Sequence, residues 1–251
     1  MPSPTSSSHG PQSVPKKALV TGGATGIGLA IVNRFQSLGY AVFVLTPPDE
    51  DTRSINLLRE VTTIESDFRF PETIPRAFRH IATLTDSIDV LINNAGIFPR
   101  QPFHSLTLQE WLDTMNVNLT APFLCSQCSY ELLTKNARSY IINITSDAYF
   151  LGPRDGIHYA ASKAGLVGLT RSLARIMASH GGIVLAVAPG ITRTRQSISK
   201  SPEYDQIAKE IPLGRIAESS DIAAAVASLV SGAFDYMTGQ TIHLNGGRHM
   251  R

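Results

Sequence analysis

Tyr159-Ala-Ala-Ser-Lys163 carries a phenol and an ammonium four residues apart. On a helix that spacing sets both side chains on one face, one turn from each other. A phenol holds its proton up to a pH near ~10 and is a poor base at neutrality. A fixed positive charge about 4 Å away, at an effective dielectric of about 20, is worth roughly 4 kcal/mol and favours phenolate. The expectation is a general acid/base, Tyr159, whose pKa Lys163 draws down toward working pH. Ser146 precedes it by a loop long enough to fold back. Its hydroxyl would donate to the oxygen of a carbonyl substrate while Tyr159 handles the proton.

Such a site needs elements that present it to a partner molecule. Lys17–Thr21 reads as a short apolar strand running into Thr21-Gly-Gly-Ala-Thr-Gly-Ile-Gly28, then a helix with apolar residues at helical spacing. Strand, glycine turn and helix form the context of a dinucleotide site. Gly22 suits the tight turn, Gly26 the close approach of a pyrophosphate, and Gly28 the packing of helix on strand. The spacing G-x-x-x-G-x-G differs from the G-x-G-x-x-G fingerprint. Further strands are expected at Tyr40–Leu45, Val61–Asp67, Ile88–Ile92, Ser139–Thr145, Ile183–Ala188 and Gln240–Leu244.

Helices are expected from Pro71 to Ala82, with Pro75 clouding its start, and from Thr107 to about Lys135. Others should run from Tyr159 to about Ala178 and from Asp221 to Val230, the last capped by Ser219 or Ser220. Asn118 lies inside the second of these, where asparagine is unfavourable without a packing reason or a job. The alternation of strands and helices predicts an α/β parallel sheet as one domain. Residues 16–251 are read as one dinucleotide-binding and catalytic domain.

The chain has 251 residues, 43% of them hydrophobic, enough for a large core, and a net charge of +2 that argues for neither nucleic acid nor membrane. No apolar run reaches the ~18 residues of a spanning helix. Residues 1–15 have neither the charged nor the apolar part of a secretory signal and read as a disordered tail. Two cysteines give no disulfide framework, and Cys125-Ser-Gln-Cys128 has no second pair for zinc, so it reads as two buried or half-buried thiols without a redox role. No metal site is read. These features predict a soluble cytoplasmic protein. Residues Ser197 to about Pro212 read as a polar candidate lid over the substrate.

From Lys17 to Gly247 the chain resembles the short-chain dehydrogenase/reductase family. The resemblance rests on Thr21–Gly28, Asn93-Asn-Ala-Gly96, Asn118, Ser146 with Tyr159–Lys163, Pro189-Gly190 with Thr194, and Asn245-Gly-Gly247, in family order and spacing. It looks most like the β-ketoacyl-acyl-carrier-protein reductase-like branch, including Pro212-Leu-Gly-Arg215. The resemblance implies a doubly wound Rossmann fold, a parallel sheet of about seven strands with helices on both faces, and an NAD(P)-dependent oxidoreductase interconverting a secondary alcohol and a ketone through Asn118, Ser146, Tyr159 and Lys163. In that scheme Ser146 polarises the substrate oxygen, and Lys163 holds the nicotinamide ribose and lowers the tyrosine pKa. Asn118 positions a water in a proton relay.

The cofactor-binding set it implies is Gly22, Thr25, Gly26, Ile27, Gly28, Asp67, Phe68, Asn94, Ala95, Gly96, Tyr159, Lys163, Pro189, Gly190, Thr192 and Thr194. Asp67 would face the adenine and Asn94 the ribose region, with Thr192 and Thr194 on the carboxamide and pyrophosphate. Thr25 stands where NADP-preferring members often carry a basic residue, and Thr46 where NAD-preferring members carry aspartate. With no carboxylate at position 46 to repel a 2′-phosphate, the choice leans narrowly to NADP(H) over NAD(H). Leu185 replaces an asparagine of the pattern. Asp147 stands where small or apolar residues are common, and is expected to face the substrate and disfavour an anionic group. The substrate is expected to be a small-molecule alcohol or ketone, or an acyl thioester, although no basic cluster marks a dock for an acidic carrier. A homo-oligomer, tetramer or dimer, is expected through the helices bearing Asn118 and Tyr159 and through the last strand.

Overall fold

The computed structural model describes residues 15–194 and 202–250. The expected N-terminal tail, apart from residue 15, and residues 197–201 of the candidate lid lie outside them. In chain order the elements are β1 (Lys17–Thr21), α1 (Gly26–Ser37), β2 (Ala41–Thr46), α2 (Arg53–Asn56), β3 (Val61–Glu65), α3 (Thr73–Leu84) and β4 (Val90–Asn93). Next come α4 (Leu108–Met115), a π-turn (Asn116–Thr120), α5 (Ala121–Cys128), α6 (Tyr130–Leu133), β5 (Ser139–Ile144), α7 (Ala148–Leu151), α8 (Ile157–Ala178) and β6 (Gly182–Pro189). The chain ends through β7 (Thr192–Arg193), α9 (Pro202–Glu210), β8 (Ala217–Glu218), α10 (Ser219–Leu229) and β9 (Thr241–Leu244).

Seven strands form one parallel sheet in the order β3-β2-β1-β4-β5-β6-β9, and β7 pairs with β8 beside it. Strand order reverses between β1 and β4, so a crevice opens at their carboxyl ends, where an open α/β sheet binds ligands. Alternation along each strand divides the core in two. Ala18, Val20, Val42, Val44, Ile92 and Ile142 face Ile31, Phe35, Ile222 and Val226 of α1 and α10. Leu19, Phe43, Leu45, Leu91 and Ile141 face Phe78, Ile81, Leu133 and Met177 on the opposite side. Both faces are covered, which is why these strands read as apolar runs rather than as alternating ones.

Three local expectations differ from the structure. The helix expected from Thr107 to Lys135 is interrupted by the π-turn and again between α5 and α6. Pro122 is the cause written in the sequence: it has no N–H to give the Asn118 carbonyl four residues back, so an α-helical ladder cannot continue there. The cap of α10 is Glu218 rather than Ser219 or Ser220; its carboxylate accepts from the Asp221 backbone, and the Asp221 carboxylate accepts from the Glu218 N–H at 2.8 Å. Two carboxylates at that helix start also complement its dipole. Pro75 falls in the first turn of α3, where a missing N–H costs nothing, so the helix starts cleanly at Thr73.

Candidate active site

The carboxyl ends of β1, β4, β5 and β6 deliver the glycine turn, Asn94–Gly96, Ser146 and Pro189-Gly190 to one crevice. At the turn, Gly22 has φ +63°, a left-handed conformation that a side chain would strain. A Cβ on Gly28 would lie 2.0 Å from the Gly22 carbonyl oxygen and 2.6 Å from Asn94 Nδ2, so only glycine lets α1 begin so close to the strand. The first turn of α1 holds no acidic residue, and Thr25 at its N-cap makes no side-chain bond to it. That leaves the helix's leading N–H groups for an anion. Thr194 closes over the same turn, its Cβ 3.4 Å from where a Cβ on Gly26 would sit.

Gly28→Ala is therefore expected to push the turn open against backbone, at about 1–3 kcal/mol of stability. Dinucleotide affinity should fall at least ~10-fold, the equivalent of about 1.4 kcal/mol. Thermal melting and a fluorescence titration with the dinucleotide check both.

Asn94 is bonded into the turn. Its Nδ2 donates to the Thr21 and Gly22 carbonyls, both at 3.0 Å, while Thr21 Oγ1 accepts from the Asn94 and Ala95 N–H groups at 3.0 Å. Thr21, which the sequence did not single out as a site residue, thus ties β1 to β4 across the switch point. Asp67 is held by Arg69, Nε to Oδ1 at 3.0 Å and Nη2 to Oδ2 at 2.6 Å, and this hydrogen-bonded pair keeps its carboxyl below the usual range. Phe68 is 3% exposed in the core, so only its main chain is available to a ligand. Thr192 is buried, its hydroxyl donating to the Gly190 carbonyl at 3.1 Å.

The four catalytic candidates do converge. A Cβ on Gly96 would lie 3.3 Å from Lys163 Nζ and 3.4 Å from Asn118 Oδ1. Lys163, 4% exposed, donates to the Ile144 carbonyl at 2.9 Å, and its ammonium lies 5.7 Å from the centroid of the Tyr159 ring. Ser146 lies close enough to the Tyr159 hydroxyl to lower its proton affinity, and its Oγ accepts from the Ala148 N–H at 3.2 Å. Asn118 is fully buried on the π-turn; Oδ1 accepts from the Ile97 N–H at 2.9 Å, and Nδ2 donates to the Ile97 carbonyl at 2.9 Å and to Ser162 Oγ at 3.1 Å. Gly165 lets α8 come this close, since a Cβ there would be 2.7 Å from Leu119 Cδ2.

The proton affinities correct one expectation. Burial pushes the Tyr159 phenol above its ordinary value; the nearby Ser146 hydroxyl pulls it down and the neighbouring Asp147 charge pushes it further up. Lys163 does not draw it down, because its ammonium is turned to the Ile144 carbonyl and is itself desolvated, its pKa lowered by burial to about 8. Asp147 brings a second correction. It is 5% exposed and does not face an open substrate space: its Oδ2 lies under Gly190, where a Cβ would be 3.5 Å away. Phe98 was not anticipated at all. Its ring stacks on Tyr159 at 4.3 Å and 29°, and the absence of a side chain at Gly156 leaves room for it. The sequence signal was slight, an aromatic two residues beyond Gly96.

Cys125 is buried and Cys128 half-buried, both free within α5, and burial pushes both thiols up, away from thiolate chemistry. Among the described residues no helix is long and apolar enough to cross a membrane, and no group of three metal-ligating side chains occurs.

Comparison with known proteins gives this geometry its class. The family model described as enoyl-(acyl carrier protein) reductase matches residues 22–249. A 3-oxoacyl-acyl-carrier-protein reductase of Aquifex aeolicus is 37% identical over 241 residues, covering 92% of this chain and 96% of that one. An acetoacetyl-CoA reductase of an Acinetobacter species is 34% identical, covering 94% and 98%. The ligand-free aldohexose dehydrogenase of Thermoplasma acidophilum superposes with a TM-score of 0.84 at 28% identity, over 94% of this chain and 95% of the other. The protein belongs to the short-chain dehydrogenase/reductase family, in its β-ketoacyl-acyl-carrier-protein reductase-like branch. It is an oxidoreductase acting between CH–OH and C=O with a nicotinamide dinucleotide.

Proposed function

We propose that residues 16–251 work as one catalytic domain that reduces a ketone to a secondary alcohol, with 3-oxoacyl thioesters the first substrate class to test. The observation that carries the reading is the meeting of Tyr159 with Ser146, and of Lys163 Nζ with Asn118 Oδ1 at Gly96, beside the anion-binding turn of α1. The thioester class is suggested by relatives named for 3-oxoacyl carrier-protein and acetoacetyl-CoA reduction.

The bound nicotinamide supplies the hydride. Gly22, Thr25, Gly26, Ile27, Gly28 and Thr194 would hold its pyrophosphate side, with Asp67 and the Phe68 main chain toward the adenine. Asn94, Ala95, Gly96 and Lys163 would line the ribose side, and Pro189, Gly190 and Thr192 the carboxamide. Ser146 donates to the substrate oxygen, and Tyr159 delivers the proton to it as charge develops there. Phe98 keeps the phenol ring in one plane. Lys163, with a pKa of about 8, exchanges protons readily near neutrality and can resupply the tyrosine. Asn118 holds Ile97 and Ser162 in place and borders that proton path.

We further propose a preference for NADP(H). Thr46 is 1% exposed at the end of β2, so no carboxylate stands there to accept from a 2′-hydroxyl or repel a 2′-phosphate. The expected assembly is a homo-oligomer of cytoplasmic enzyme, supported by Leu108, Leu112, Phe123 and Ile176 exposed on α4, α5 and α8. The test is turnover, followed by nicotinamide absorbance, of acetoacetyl-CoA, other 3-oxoacyl thioesters, simple ketones and sugars with each dinucleotide. Reduction of a thioester with NADPH as the better donor is expected. Turnover confined to sugars would overturn the substrate class, NAD preference the cofactor choice, and a monomer on sedimentation the assembly.

A further inference from the structure

Two buried polar atoms near the site have no partner, and they face each other. Asp147 Oδ2 and His249 Nε2 are both sequestered from solvent without a hydrogen bond, 4.0 Å apart. Each would cost stability if left so, roughly 1–3 kcal/mol for a buried polar group. At 4.0 Å they are one small side-chain rotation, or one bridging water, from a hydrogen bond. The surrounding backbone is built to bring them there. Asp147 follows Ser146, and its N–H donates to the Pro189 carbonyl at 3.0 Å. It opens α7 without capping it, which leaves its carboxyl for other partners.

On the opposite side, Asn245 folds the C-terminal turn. Its Oδ1 accepts from the Gly247 N–H at 3.1 Å, its Nδ2 donates to the His249 carbonyl at 3.0 Å, and its own carbonyl accepts from the Arg248 N–H at 3.1 Å. Gly190 lies between the two parts: its N–H donates to the Leu244 carbonyl at 2.9 Å, and a Cβ on it would be 2.8 Å from Asn245 Cβ. Phe150 rests edge-on against the His249 ring at 6.2 Å. Ser146, Pro189-Gly190 and the C-terminal turn thus meet around one carboxyl group.

We propose that Asp147 and His249 form a buried clasp that fastens the Ser146 loop to the C-terminal turn, making Asp147 a positioning residue for Ser146 and Tyr159. This rests on the catalytic reading of Ser146 and Tyr159 above. The charged and titratable groups facing Asp147 are His243 on β9, Arg248 and His249 on the C-terminal turn, and Tyr159 on α8. Tyr149 beside it is hydrogen-bonded to His243 Nε2 at 3.1 Å. Burial holds the Asp147 carboxyl above its ordinary range against the pull of the three basic groups. Its charge, when present, raises the proton affinity of Tyr159.

The test has two arms on the full chain. In amide hydrogen exchange, Asp147→Ala and His249→Leu should each speed exchange of residues 146–151 by about tenfold, and the double variant no more than either, because both break the same clasp. His249→Gln, which keeps a donor, should restore most of the protection. In the second arm Asp147→Asn, nearly unchanged in shape, should move the alkaline limb of carbonyl reduction to lower pH, since a negative charge beside Tyr159 is gone. Additive exchange effects, or an alkaline limb left where it was, would overturn the clasp. Exchange is read without turnover, so a protein that reduces no carbonyl would count against the catalytic reading while the exchange arm still decides this one.

Discussion

Tyr159→Phe is expected to fold, to bind its dinucleotide, and to lose about 10²–10⁴-fold in carbonyl turnover. The substitution removes one oxygen. The ring keeps its stack on Phe98 at 4.3 Å and its place one turn before Lys163, so the architecture loses only the polar contact of the hydroxyl with Ser146. What disappears is the group proposed to deliver the proton to the substrate oxygen. Ser146→Ala should cost less, because Tyr159 keeps its proton and a polarising bond alone is lost. The raised pKa of Tyr159 fixes the sign of the pH dependence. Carbonyl reduction needs the protonated phenol, so it should hold steady through neutrality and decline only on the alkaline side. Alcohol oxidation needs the phenolate and should climb with pH over the same range. Steady-state rates in both directions, with dinucleotide affinity measured separately, check this. Turnover retained in Tyr159→Phe would remove the tyrosine from the chemistry.

Much of this is legible in the amino-acid sequence alone. The seven strands of the sheet fall within about two residues of their expected starts, most plainly β1, β2, β4 and β6, whose buried apolar runs meet Gly, Asn or Pro at their carboxyl ends. The glycine turn was legible because Gly22 and Gly28 answer steric demands that no other residue meets. The four catalytic candidates were legible as a set that meets in space, and the interior asparagine was the most informative of them. Asn118 sits on a π-turn, and the proline four residues later that breaks the helical ladder was visible in the sequence.

What stayed hidden depends on side-chain direction and burial, which spacing does not carry. Tyr159 and Lys163 share a helix face as expected, yet the ammonium points at the Ile144 carbonyl, and desolvation, invisible in a sequence, sets both proton affinities. Asp147 adjoins Ser146 in the chain, but its carboxyl turns away beneath Gly190 toward a turn about a hundred residues later. Phe98 reaches Tyr159 only because the loop after β4 meets the first turn of α8 in space.

Lys163→Met should separate function from stability in opposite directions. Turnover is expected to fall by roughly 10²-fold or more, since the variant lacks the cation proposed to hold the nicotinamide ribose and to resupply the proton of Tyr159. Stability at pH 7 should rise. A lysine whose pKa drops from 10.5 to about 8 on folding is charged in both states at neutrality and disfavoured in the fold. The penalty is at most roughly 3 kcal/mol. The bond to the Ile144 carbonyl offsets about 1 kcal/mol of it, leaving a net gain of about 1–2 kcal/mol for methionine. That is a rise of several degrees, at about 2–4 °C per kcal/mol in a chain of this size.

The sign with pH follows. Between about 8 and 10.5 the unfolded chain holds the lysine proton and the folded one has released it, so wild-type stability climbs through that window. The advantage of Lys163→Met should therefore be complete below pH 8 and gone by about pH 10.5. Paired melting curves across that range measure it. An advantage independent of pH would mean that packing, not charge burial, separates the two proteins. No advantage at all would mean that the ammonium is not desolvated as its surroundings indicate. Either way the comparison tests whether the enzyme keeps a destabilising charge at its centre because its chemistry uses it.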